Sequence, residues 1–118
     1  MHNKKQIRIS FRTKVLNRDN FTCKCCGKKG YDRQDSPVKD KVPLDVHHII
    51  DRKEITNGGY IPENGITLCD DCHLKAEKYH ITQGKEAVKD FHPNDLFAII
   101  GSSKELALTK ASSQGINQ

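Results

Sequence analysis

The chain has 118 residues, 35% of them hydrophobic, and its 20 Lys and Arg against 15 Asp and Glu give a formal charge of +5. This length suits one small domain with a thin core, and such domains often need a further stabilising element, such as a disulfide or a bound metal ion. The longest apolar run, residues 96–100, is far shorter than the roughly 20 residues of a membrane-spanning helix, and residues 1–10 have no apolar signal-peptide core. We therefore expect a cytoplasmic protein that neither enters a membrane nor is secreted.

The excess positive charge lies at the N-terminus. Residues 1–18 contain no acidic side chain, and their basic side chains are Lys4, Lys5, Arg8, Arg12, Lys14 and Arg18. A basic arm, which we place at residues 1–10, is suited to contacts with the phosphates of a nucleic acid. A solvated terminus that only keeps the protein soluble explains the same charge equally well.

Short elements are predicted in the first part of the chain. Apolar residues at helical spacing predict a helix over residues 10–20, which leads into a solvated loop at residues 27–43. A compact apolar run predicts a strand at residues 44–50, and after a turn-rich connection residues 66–68 predict a second strand.

Helices are predicted to follow the second strand. An aspartate can cap a helix at residues 70–79, which gives the order strand, loop, strand, helix. The C-terminal extension, residues 81–111, contains start signals for two short helices, one over residues 95–100 and one capped by Ser102. Residues 112–118 are predicted to be a disordered tail.

The cysteines carry the most specific signal. Cys23 and Cys26 form one C-x-x-C pair, Cys69 and Cys72 form a second, and Cys25 is left over. An odd count without a signal peptide argues against a disulfide framework, and a redox pair would need a βαβ context that the sequence does not show. Two such pairs can supply four thiolates to one structural zinc ion, which adds the folding energy that a thin core lacks. The 42 residues between the pairs exceed the roughly 15 to 20 of a simple four-cysteine finger, so a substantial segment is inserted.

Several spaced stretches around the cysteines occur together. They are VLNRDNFTC at residues 15–23, CG at 26–27, LDVHHI at 44–49, ENGITLC at 63–69 and CH at 72–73. Over about residues 11–80 the chain thereby resembles the HNH endonucleases that carry a four-cysteine zinc site. The resemblance implies a small α+β domain of the ββα-metal fold, in which a β-hairpin and a helix hold one catalytic divalent ion, here with flanking short helices. It also implies a bacterial or phage enzyme that cleaves DNA phosphodiester bonds.

The histidines fit this chemistry. Neighbours on a strand point to opposite faces, so His47 and His48 cannot easily bind one ion together. Phosphodiester hydrolysis needs a base that activates water and a cation at the leaving oxygen. The resemblance assigns His47 and His73 to the catalytic ion, His48 to the water, and Asn64 to bracing the active loop. Taken alone, the two adjacent histidines could be ordinary strand residues without a catalytic role. The presence of Asn64 and His73 at the positions that the motif requires argues against this alternative.

The sequence is less specific about the identity of the catalytic metal and about the residues that contact DNA. Many members of the family have Asp in place of His47, and an imidazole in that position shifts preference from Mg²⁺ toward Mn²⁺, Ni²⁺, Co²⁺ or Zn²⁺. The basic side chains that we expect to contact DNA are Lys4, Lys5, Arg8, Arg12, Arg18, Arg52 and Lys53. Two histidines outside the motif, His80 and His92, are expected to be surface residues.

A zinc-dependent nucleic-acid-binding module without catalytic activity is the alternative function. The complete set of His47, His48, Asn64 and His73 favours the nuclease, because a protein that only binds has no need of it. A protein partner or a homodimer formed through the C-terminal helices remains open.

Overall fold

A computed structural model describes residues 3–114 of the chain. The elements in this range are α1 (Lys4–Arg18), β1 (Gly30–Asp32), β2 (Val42–His48), β3 (Gly65–Cys69), α2 (Asp70–Ile81), α3 (Pro93–Ile99) and α4 (Lys104–Ser113). Short 3₁₀ turns lie between β2 and β3, at Arg52–Glu54, Thr56–Gly59 and Pro62–Asn64. None of the helices in the described range is long and apolar enough to span a bilayer.

The sheet places the hairpin directly against a helix. β2 is central, with β1 parallel on one side and β3 antiparallel on the other. Leu44 lies opposite Cys69 and His48 opposite Gly65 in the β2–β3 pairing. Because α2 begins at the residue after β3, the predicted order of strand, loop, strand, helix is confirmed, as is the small α+β class.

The N-terminal helix is longer than predicted. It begins at Lys4, because the Asn3 side chain accepts a hydrogen bond from the Gln6 N–H (2.8 Å) and the Gln6 side chain turns back to the Asn3 N–H. Most of the predicted basic arm is therefore the first part of α1. Residues 1 and 2 of that arm lie outside the described residues.

The C-terminal extension also differs in detail. Ser103 and not Ser102 caps α4, since its side chain accepts a hydrogen bond from the Leu106 N–H (3.0 Å). His92 is half-buried and caps α3, since its Nδ1 atom accepts a hydrogen bond from the Asn94 N–H (3.0 Å). Residues 112 and 113 belong to α4, which contradicts a disordered tail starting at residue 112, while 115–118 lie outside the described residues.

The core joins all parts of the chain. α1 presses Phe11 and Val15 onto β3, where a Cβ on Gly65 would come within 2.8 Å of both side chains, so glycine permits this close approach. α3 and α4 add further buried residues to the hydrophobic core, namely Leu96, Phe97, Ala107 and Ala111. The C-terminal helices are thus packed onto the rest of the chain through these residues, while Ile99, Leu106 and Leu108 are exposed.

Candidate active site

Four cysteines converge into one cluster. Cys23 and Cys26 follow α1, Cys69 ends β3, and Cys72 lies in the first turn of α2. Their Sγ atoms all lie within 4.8 Å of one another, and those of Cys26 and Cys69 are 3.7 Å apart. A tetrahedral zinc with Zn–S bonds of about 2.3 Å separates its sulfurs by about 3.8 Å. The cluster therefore fits the predicted structural zinc.

The fifth cysteine is excluded from this cluster. The Lys24 N–H donates to the Thr67 carbonyl (3.0 Å), which ties the first cysteine pair to β3. Burial opposes ionisation of Cys23, but hydrogen bonds from backbone N–H groups of the other cysteines lower its pKa to about 7. Burial raises the pKa of the Cys25 thiol to about 12. Burial also raises the pKa values of Cys26 and Cys72, so the pKa does not separate the ligands from Cys25. Cys25 is set apart because its Sγ is not among the four that converge.

A second cluster lies between β2 and α2. His47 Nδ1 is 3.1 Å from the Glu77 Oε1 atom, and His73 Nε2 is 3.2 Å from the same oxygen. His47 is only 2% exposed, and within residues 3–114 its Nδ1 has no aligned hydrogen-bond partner. The Glu77 oxygen approaches this buried nitrogen without a well-aligned hydrogen bond, and a divalent cation would take its lone pair together with the other two ligand atoms. The three residues fit a divalent ion.

Glu77 is the ligand candidate that the sequence reasoning missed. Its signal was the spacing from His73, because residues four apart lie on the same helix face. Contact with His47 lowers the pKa of Glu77 to about 2, so this carboxylate is ionised at neutral pH. The donor set is then two imidazoles and a carboxylate, which restores an oxygen ligand of the kind that Mg²⁺ and Mn²⁺ prefer.

We expect Glu77→Ala to weaken Mn²⁺ binding by at least about tenfold, because even groups that only orient metal ligands contribute 10- to 100-fold. Mn²⁺ titration of the zinc-loaded protein, followed by electron paramagnetic resonance, measures this. Glu86→Ala removes an exposed carboxylate outside the cluster and is the matched control. Equal Mn²⁺ affinity in the two variants would show that Glu77 is not a ligand.

His48 is held on the other side of β2. Its ring packs against Phe11, with centroids 4.7 Å apart, and edge-on against Tyr60, at 4.9 Å and 89°. Burial, reinforced by the positive charge of Arg52, lowers the pKa of His48 to about 4. The imidazole is therefore neutral at pH 7, which is the form that accepts a proton.

Asn64 makes the bracing hydrogen bonds expected of it. Its Oδ1 accepts from the Ile50 N–H (2.9 Å), and its Nδ2 donates to the Ile50 carbonyl (3.1 Å). The Asn64 carbonyl accepts from the Ile49 N–H (2.9 Å). This fully buried side chain fixes the backbone turn that follows His48, and it does not line the cleft.

His80 is not the surface residue that the sequence predicts. Its ring is half-buried and stacks on His47, with centroids 5.1 Å apart and planes 20° apart. Its Nε2 lies 2.9 Å from the His48 carbonyl oxygen, which accepts a hydrogen bond when that nitrogen carries the proton. His80 thus supports the end of β2, two turns of α2 beyond His73.

The two sides of β2 open into one cleft of about 700 Å³. His47, His48, His73 and Glu77 line it together with four basic residues: Lys5, Arg8 and Arg12 on α1, and Arg52 on the loop after β2. These basic residues of α1 therefore line the same cleft as the histidines. Lys4 and Lys53 are exposed and do not line this cleft.

Two of the predicted DNA-contacting arginines have internal partners. Arg12 donates to Asp32 (2.8 Å), to Asp45 (3.0 Å) and to a backbone carbonyl. Arg18 pairs with the buried Asp19 (2.7 Å) and donates to two backbone carbonyls at the start of β3 and just before it. Both guanidiniums stabilise the packing of α1 on the sheet, and their contact with DNA stays a prediction.

Residues 23–78 match the family model described as HNH endonuclease. The chain matches no curated protein and no solved structure. The matched range begins at the first cysteine of the four-cysteine cluster and includes the β2–β3 hairpin, most of α2 and both clusters of candidate ligands. It supports a nuclease or other nucleic-acid-related function in general. Residues 23–78 are thus an HNH endonuclease domain by this match, and the small α+β structure with its four-cysteine cluster fits the ββα-metal fold.

Proposed function

We propose that the protein is a metal-dependent endonuclease that hydrolyses DNA phosphodiester bonds. The observation that carries this proposal is that a neutral, partly buried imidazole, His48, shares one cleft with the cluster of His47, His73 and Glu77. In-line hydrolysis needs a base and a cation on opposite sides of the phosphorus. The two groups on the two faces of β2 provide that separation.

Each residue has a distinct role in the proposed reaction. His48 accepts a proton from the attacking water, and Asn64 keeps the backbone that carries His48 in place. His47, His73 and Glu77 would hold a divalent cation, which when bound stabilises the negative charge on the leaving 3′ oxygen. The expected products are a 5′-phosphate and a 3′-hydroxyl. Mg²⁺, Mn²⁺, Ni²⁺, Co²⁺ and Zn²⁺ are all candidates for this ion, in addition to the structural zinc.

Incubation of the zinc-loaded protein with supercoiled plasmid and each of these ions tests the proposal. We expect nicked or linear plasmid with at least one added ion and none without it. His48→Ala, prepared in the same way, shows whether a contaminating nuclease is responsible. If the protein binds the plasmid but leaves it intact with every ion, the binding module without catalysis is the correct function.

The basic side chains at the start of α1 are expected to set the salt dependence of DNA binding. Lys4, Lys5 and Arg8 lie in the first turns of α1, so replacing all three by Gln should keep the helix while removing phosphate contacts. The slope of log affinity against log salt should become shallower by roughly 0.9 per lost contact, at most about three units. Affinity for two unrelated duplexes should fall alike, because phosphate contacts carry no sequence information.

Fluorescence anisotropy titrations at several salt concentrations measure this slope. Lys14→Gln, on the same helix but outside the cleft, is the matched control. An unchanged slope in the triple variant would mean that these side chains are only solvated. A loss confined to one duplex would mean that they recognise sequence.

A further inference from the structure

We propose that helix α4, outside the matched family range, positions His48 through Tyr60, with Gln114 and Asn57 as the positioning residues. The inference rests on the proposed role of His48 as the base. Its starting point is a chain of contacts that runs from the end of α4 to the His48 ring.

Tyr60 forms one side of the pocket that holds His48. Its ring lies edge-on to His48 and also to Phe11, at 5.6 Å and 90°. Its hydroxyl accepts a hydrogen bond from Arg52 Nη1 (3.1 Å). Phe11 is fixed on α1 in the core, whereas Tyr60 lies on the loop between β2 and β3. The orientation of the imidazole therefore depends on how firmly that loop is held.

The loop before Tyr60 has a permissive backbone. Asn57, Gly58 and Gly59 all have positive φ, at 57°, 76° and 65°. Glycine adopts positive φ without a steric penalty and asparagine tolerates it, so these residues allow the turn but do not restrict it to one conformation. Gly59 is also confined, because a Cβ there would lie 2.6 Å from Asn64 Nδ2. Such a segment needs hydrogen bonds from outside itself to stay in one conformation.

The end of α4 supplies those hydrogen bonds. Gln114 Nε2 donates to the Tyr60 carbonyl at 2.7 Å. Asn57 Nδ2 donates to the carbonyls of Ala111 (3.0 Å) and Gln114 (2.6 Å), which lie where helix carbonyls lack partners of their own. The loop and the helix end thus satisfy each other's polar groups.

The helix itself is anchored. Ala107 and Ala111 are fully buried in the common core, and Ser102 just before α4 donates to the Glu63 carbonyl (2.9 Å). A helix anchored in the core and bonded to this permissive loop can hold Tyr60, and through it His48, within the small tolerance that catalysis needs.

Gln114→Glu tests the proposal in the zinc-loaded full chain. The substitution keeps the side-chain shape but replaces the N–H donor with a carboxylate oxygen that repels the Tyr60 carbonyl. We expect the imidazole ¹H–¹³C resonances of His48 to shift or broaden, with those of His92, which packs on Tyr79, unchanged. Plasmid cleavage at saturating DNA should fall about tenfold or more, since a 1 Å misplacement can cost about 10²-fold.

Two further variants complete the test. Asn57→Gly removes the hydrogen bonds from Asn57 to α4 and still allows positive φ at this position. It should therefore also shift the His48 resonances and lower the cleavage rate. If Gln114→Glu loses zinc or helix content, Asn57→Gly alone tests whether α4 positions His48. Ser113→Ala, on the same turn of α4 without a bond to the loop, should change neither readout. The proposal is overturned if Gln114→Glu and Asn57→Gly both leave the His48 resonances in place. If the wild type cuts no plasmid, the proposed function fails, while the resonances still decide whether α4 positions His48.

Discussion

Cys69→Ser is expected to release the zinc and unfold most of the domain. The cluster of Cys23, Cys26, Cys69 and Cys72 joins the segment after α1 to the junction of β3 and α2, so loss of one ligand removes the cross-link between these two parts of the chain. Structural zinc contributes about 10–16 kcal/mol of apparent binding free energy, whereas the net stability of a domain is about 5–15 kcal/mol. Elemental analysis for zinc together with far-ultraviolet circular dichroism measures both consequences.

The same variant should also lose the second metal centre. His73 follows Cys72 directly, and Glu77 lies one turn further along α2, so the zinc fixes the start of the helix that carries both. Cys25→Ser is the matched control, because this thiol lies outside the cluster, and it should keep zinc and fold. A wild-type protein that is folded but free of zinc would contradict the whole argument.

The sequence could predict the parts of the site that depend on local spacing. These parts are the two C-x-x-C pairs, the adjacent histidines and the residue after Cys72. Each is recognised from residues only a few positions apart, and the geometry of a strand or helix then determines which face each side chain occupies. The strand, loop, strand, helix order followed from the same local patterns. Glu77 had the correct spacing from His73, but a lone carboxylate on a polar helix carries no signal until β2 brings His47 against it.

The remaining features depend on contacts between residues distant in the chain. β1 is a strand of three residues that exists through its parallel pairing with β2, so nothing in its own composition indicates it. α1 extends to Lys4 through a capping box in a segment with little apolar periodicity. His80 reaches the His48 backbone 32 residues away, and Gln114 reaches Tyr60 across 54. The hydrophobic pattern of a sequence does not predict these long-range hydrogen bonds, because each of them joins only one pair of polar groups.

His48→Ala is expected to lower the cleavage rate by at least about 10²-fold, the usual scale for removing a general base. The variant should keep its zinc, since the four cysteines lie in a separate cluster. It should also keep its affinity for DNA, because the basic side chains of the cleft are unchanged. Single-turnover plasmid nicking with the most active divalent ion measures the rate, and a mobility-shift assay measures the binding.

The matched control is His92→Asn, which removes a histidine outside the cleft while supplying an oxygen that can still cap α3. Nicking should continue at the wild-type rate in this variant. If His48→Ala nicks plasmid as fast as the control, the base lies elsewhere, and the neutral imidazole between Phe11 and Tyr60 only packs. If it loses DNA binding as well as cleavage, His48 serves to bind the substrate, and the division of roles between the two faces of β2 is wrong.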